Sequence, residues 1–241
     1  MNKLGLTAGV PAMLVILSGG VACGEQPNAT ATAEALEGLW EYTRLETSEG
    51  KEMALTGIFL FKDGTFVQQA VFDGEPYEAQ GAMAHAGPYD TRAGSVHLVA
   101  EQTISTAPGT DSPLSYRAST EHDVTVNRDG DMLTLVFGSG TGTIQEFERL
   151  GSGEGELYSL DDGALAFVDG YFVLVQGDEH GVVTGYGEYR RSGEDLELDV
   201  VRWAEAGPSG ATNRRDVTIR ATFDGRRLEL ADGRVFPVDT D

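Results

Sequence analysis

An all-β protein built from one antiparallel module used twice is what this 241-residue sequence predicts. Three observations carry the prediction. The segment Gly57-Ile-Phe-Leu-Phe-Lys-Asp-Gly-Thr-Phe-Val67 returns as Gly163-Ala-Leu-Ala-Phe-Val-Asp-Gly-Tyr-Phe-Val173, with six of eleven positions identical. Asp-Gly pairs at 63, 73, 129, 162, 169, 224 and 232 punctuate the chain, and this dipeptide suits the positive φ angles of tight hairpin turns. Between the turns the apolar residues recur with a period of two, as strands require.

Taken in order, residues 57–61 and 65–72 form the first hairpin, rich in aromatic and β-branched residues. Residues 96–104 alternate, with Val96, Leu98, Ala100, Gln102 and Ile104 on one face and His97, Val99, Glu101 and Thr103 on the other. A polar strand at 117–126 pairs through Asp129-Gly130 with 132–137, and 143–150 closes the first unit. The second unit is predicted to run through 156–160, 164–168, 171–176, 183–190, 196–203, 216–223, 227–230 and 235–238. The echo extends past the hairpin: Gly87-Pro-Tyr89 matches Gly187-Glu-Tyr189, and Asp129-Gly-Asp-Met-Leu-Thr-Leu135 matches Asp224-Gly-Arg-Arg-Leu-Glu-Leu230. Regularly spaced short strands of this kind make a barrel or a sandwich. Two units, 36–150 and 151–241, are expected, and one fused barrel or sandwich is the alternative.

The first 22 residues read as a targeting segment. Lys3 precedes a mostly apolar run at 4–17, too short to span a bilayer, and small residues lead up to Val21-Ala22-Cys23. Cys23 is the only cysteine of the chain. A bacterial lipoprotein signal needs a cysteine there, so Cys23 is the expected lipidation site, although Gly20 stands where such signals usually carry Leu. Cell-envelope placement, with an outer-membrane or periplasmic location, follows from that expectation. Residues 23–35 are small and polar and read as a flexible tether. The net charge of −22 repels nucleic acid and anionic headgroups, so contact with a membrane is expected only through the lipid.

In the first unit the series Gly38-Leu-Trp40, Gly57-x-x-x-Phe61-x-Asp-Gly, Gly87-x-Tyr89, Val96-His97 and Gly130-Asp-x-Leu-x-Leu135 resembles the bacterial lipocalin-like domain family. The resemblance covers about half of the chain. It implies a small antiparallel barrel with Trp40 plugging its closed end and Arg149 packed on the Trp. Members of this family are mostly of unknown function. The second unit lacks the Gly-x-Trp opening; Gly155-Glu-Leu-Tyr158 is its nearest equivalent.

Chemistry is sparse. His85, His97, His122 and His180 show no metal-ligand spacing, and there is no nucleophile elbow, phosphate loop or dinucleotide fingerprint, so neither metal nor cofactor is expected. The constellation that would support catalysis is His97 and Glu101 with Tyr89, Tyr116 and Arg117. His97 and Glu101 sit about 13 Å apart along a strand, so any partnership needs a neighbouring strand. Val96, Leu98 and Ala100 are the stronger core candidates, which would turn His97 and Glu101 to solvent. For ligand binding the candidates are Trp40, Phe61, Tyr89, Tyr116 and Arg117, although small barrels are more often filled by their aromatics. The expected role is non-enzymatic binding of a small apolar or amphipathic ligand. The alternatives are an isomerase or cyclase on the same fold, and a structural envelope module.

Overall fold

The computed structural model describes residues 28–138 and 142–239; Cys23 and the targeting segment lie outside them. A first sheet contains β1 (Gly38–Glu46), β2 (Glu52–Met53), β3 (Leu55–Lys62), β4 (Thr65–Phe72), β5 (Ala82–Arg92), β6 (Ser95–Thr106), β7 (Leu114–Asp129), β8 (Met132–Phe137) and β9 (Ile144–Gly151). Neighbours in sequence pair antiparallel, β1 pairs with both β2 and β3, and β9 returns to β1 from Leu39↔Gly151 to Glu46↔Ile144. The sheet closes on itself and has no free edge, which removes the hazard of unpaired backbone groups.

The second sheet runs β10 (Gly155–Leu160), β11 (Gly163–Val168), β12 (Tyr171–Gly177), β13 (Val182–Ser192), β14 (Asp195–Gly207), β16 (Val217–Phe223), β17 (Arg227–Leu230) and β18 (Val235–Pro237), with β15 (Gly210–Arg214) as a flap on β14. Its closure is thinner. It rests on the bridge Leu160↔Val238 and the Asp239 amide donating to the Ser159 carbonyl at 2.9 Å. Two separate antiparallel barrels are therefore present, not one fused sheet. In the β3–β4 and β11–β12 turns, Asp63, Gly64, Asp169 and Gly170 all take positive φ, as the Asp-Gly pairs predict.

The echoed Gly-x-Tyr motif is a bulge. Between Ala86 and Tyr89 the β5–β6 register shifts, and the same shift falls between Tyr186 and Gly187 on β13. A β-carbon on Gly87 would lie 2.1 Å from the Val99 carbonyl oxygen, and one on Gly187 2.1 Å from that of Asp199. Only glycine lets the strands approach this closely. The bulge also corrects the predicted face of β6. Val96, Leu98 and Ala100 point into the first barrel, whereas Ile104 belongs to the cluster packed against the second.

Three cores result. One fills the first barrel around Trp40, Phe59, Phe61 and Phe147, and another fills the second around Phe167, Phe172, Trp203 and Phe223. Between them, Ile58, Leu60 and Val67 pack on Ala164, Ala166 and Val173, so equivalent faces of the two repeats meet. β4 lies against β12, while β4–β13 and β5–β12 form a reciprocal pair of contacts. This is the pattern of a two-fold interface, built within one chain.

The expected tether is corrected in part. Ala29–Leu36 is a helix, α1, whose N-cap Asn28 accepts the Ala31 amide at 2.9 Å. Alanine-rich composition and an N-cap suffice to start it, and burial of Thr32 and Leu36 on the barrel holds it.

Candidate functional site

The two ends of the first barrel differ. At one end α1 forms a lid. The Trp40 indole donates to the Leu36 carbonyl at 2.7 Å, and the Arg149 guanidinium stacks 4.4 Å from the indole centre while donating to the Glu37 carbonyl at 2.9 Å. The Tyr89 hydroxyl donates to the Glu37 carboxylate at 3.0 Å, and its ring meets Phe61 edge-on at 5.4 Å. Phe61 in turn stacks on Phe59 at 4.3 Å. This end is shut and filled. Trp40, Phe61 and Tyr89, expected to contact a ligand, make up its plug.

The other end is open. A cavity of about 310 Å³ opens between the half-buried Thr47, Met53, Phe72, Met83 and Thr143, and its buried wall holds Leu45, Phe137, Gln68, His85 and Gln145. Three of those buried side chains are polar. Adjacent strands place Gln68 on β4 directly opposite His85 on β5. The Gln68 amide donates to the Tyr42 hydroxyl, which donates to Gln145 Oε1 at 2.8 Å, tying β4, β1 and β9 together. His122 on β7 lies parallel to His85, with ring centres 6.2 Å apart, and meets Phe137 edge-on at 5.5 Å.

Every polar group in this wall is uncharged at neutral pH. Burial, reinforced by the neighbouring His122, pushes the His85 imidazole down to about 4. Burial lowers His122 as well and drives the Tyr42 hydroxyl far above its ordinary range. The nearest ion network faces outward: Arg44, beside Leu45, pairs with Glu46, Glu52 and Glu146. His85 Nε2 is buried and has no hydrogen-bond partner. Such an atom costs about 1–3 kcal/mol unless something pairs with it.

The second barrel has no equivalent chamber at this position. The repeat aligns Gln68 with Leu174 and His85 with Gly185, since each pair faces across the same ladder. The residue opposite His85 is Thr103; the residue opposite Gly185 is Trp203. Trp203 is 1% exposed, and its ring lies so close over Gly185 that a β-carbon there would come within 2.2 Å of it. One indole fills the space that the first barrel leaves open. At the shut end, register makes Tyr158 the counterpart of Trp40, and Tyr158 packs edge-on against Phe223 at 4.9 Å.

The catalytic candidates do not line the chamber. His97 faces outward, with Nδ1 2.9 Å from the Asp123 carboxylate. Glu101 is exposed, beyond the bulge that separates it from His97, and edges a crevice between the barrels. Tyr116 packs against the inter-barrel cluster, and Arg117 is exposed. No cluster of three or more His, Cys, Asp or Glu suited to a metal occurs among the described residues. Sequence reasoning passed over Tyr42, Gln68, His85, His122 and Gln145. The available signal was polar side chains inside runs otherwise apolar or small, Thr65–Phe72 and Ala82–Arg92.

No known protein family, curated protein or solved structure matches this chain.

Proposed function

We propose that the first barrel binds a small apolar or amphipathic molecule, without chemical turnover, at the cell envelope. The observation that carries this reading is the largely apolar cavity of about 310 Å³ with a neutral polar patch in its wall, at the low end of ligand-pocket volumes. His97 faces outward, and Arg117, although it lies opposite Thr103, does not line the chamber, which leaves the acid–base pair on which an isomerase or cyclase reading rested unassembled. The second barrel acts as the partner that covers the apolar outer face of the first.

A lipid on Cys23 would serve as the anchor. The signal-like run at 4–17 and the small residues before the single cysteine support it. Cys23 is five residues ahead of Asn28, a reach of at most about 17 Å. Because α1 caps the shut end, this anchor would keep the shut end toward the membrane and the open mouth away from it.

Titration with the neutral fluorophore N-phenylnaphthylamine tests the reading. The wild type should bind it at one site. The double variant His85→Gly/Thr103→Trp, which copies the filled arrangement of the second barrel, should lose that binding. No binding by the wild type, or equal binding by the filled variant, would refute the proposal.

A further inference from the structure

We infer that the ligand is an uncharged amphiphile that enters polar end first, and that His85 is the side chain that selects it. The inference rests on the binding role proposed above and specifies its chemistry. Half-buried Met53, Phe72 and Met83, with Thr47 and Thr143, form the outer part of the chamber, and the polar groups buried in its wall are Gln68, His85 and Gln145. A molecule with one polar end satisfies that arrangement in one direction only. Gln68 and Gln145 each give one amide atom to the Tyr42 hydroxyl. His85 makes no such bond, and its Nε2 is buried without a partner.

Charge decides the class of head group. Apart from the His85 and His122 imidazoles, no acidic or basic side chain lines the chamber, and the Arg44 cluster outside it is already neutralised by three carboxylates. An ammonium would therefore be desolvated without a counter-ion, and a carboxylate would have to draw a proton onto a buried imidazole, either of which is costlier than burying a hydroxyl or amide that finds a hydrogen bond. The net charge of −22 further disfavours anions on approach. A hydroxyl or an amide can pair with an imidazole in either tautomer, as donor or acceptor, and a carbonyl with the tautomer that donates.

The probes are decanol, decanamide, decanoate and decylammonium, compared by calorimetry at pH 7.5 with N-phenylnaphthylamine as the general test of occupancy. Decanol and decanamide should bind at least ~100-fold more tightly than either charged compound. Loss of the hydrogen bond in His85→Leu should weaken decanol about 5–10-fold, whereas His85→Gln, which keeps a neutral hydrogen-bonding group, should retain most of the affinity. In the wild type, the ring ¹⁵N resonances of His85 should move when decanol is added, a readout that needs no variant. If the fluorophore fails to bind, the binding role itself falls. If the fluorophore binds but decanoate matches decanol, or the His85 resonances stay fixed under saturating decanol, binding survives and the neutral, head-first assignment is overturned.

Discussion

Removing Trp203 should open the second barrel. In the native fold this side chain is 1% exposed, lies over Gly185 and fills the position that is vacant in the first repeat. Trp203→Ala deletes on the order of 140 Å³ of packed side chain, and at ~24 cal/mol per Å³ of residual cavity that alone costs about 3 kcal/mol. Adding lost transfer energy places the total at about 5 kcal/mol, the upper end for a buried Trp→Ala change and a large share of the ~5–15 kcal/mol that holds a typical domain. Gly185 has no side chain with which to collapse inward, so little of the loss should be recovered by relaxation. Urea denaturation followed by far-ultraviolet circular dichroism measures the difference. Repeating it with indole at about 100 times its dissociation constant should restore roughly 2.7 kcal/mol, because indole replaces the missing ring. A loss below about 1 kcal/mol, or no recovery with indole, would show that Trp203 is not the plug.

Three further outcomes are expected. The His85 imidazole titrates at about 4 when folded against 6.5 when free, so its contribution is fully present above pH 6.5 and is lost as pH falls toward 4. The loss is up to about 3 kcal/mol, so the stability of wild type relative to His85→Leu should fall by that amount as pH drops across that window; parallel curves would contradict it. Gly87→Ala places a β-carbon 2.1 Å from the Val99 carbonyl oxygen and should cost at least ~2 kcal/mol in urea midpoint analysis, while Gly130→Ala, with open space around it, should cost less. In a bacterial host, Cys23→Ser should abolish fatty-acid labelling and release the protein from the membrane pellet; persistent labelling would exclude Cys23 as the anchor.

The strands and turns were legible because hairpin chemistry is local. Asp63-Gly64 and Asp169-Gly170 set their own backbone angles, and the duplication gave each segment a second witness. The helix Ala29–Leu36 escaped because its alternating Ala and Thr present no amphipathic stripe, and its stability comes from docking rather than from pattern. The chamber escaped for a different reason. β4 runs between the interior of the first barrel and the inter-barrel core, so Phe66 and Val67 are both buried and the period of two disappears. Where both faces are covered, alternation no longer tells which way Gln68 or His85 points. The Tyr42–Gln145 contact spans 103 positions and depends on barrel closure, which a linear pattern does not contain.

The two repeats kept the same turns, the same bulge and the same outward face, and diverged where nothing in the fold required them to stay alike. The interface shows the first kind of divergence: Ala84 and Ala86 correspond to Thr184 and Tyr186, so small residues on one copy stand where larger ones stand on the other. The interiors show the second. Gln68, His85 and Thr103 became, or arose from, Leu174, Gly185 and Trp203, a coordinated change across three adjacent strands. Packing alone favours the filled state, because an indole gains contact energy that a cavity forgoes. The hollow copy also retains a buried imidazole nitrogen without a partner. Both costs fall on the same few side chains of one barrel, while at the equivalent positions its twin carries Leu174, Gly185 and Trp203 and avoids them. A bound molecule would offset both at once, and the proposed binding role rests on that coincidence.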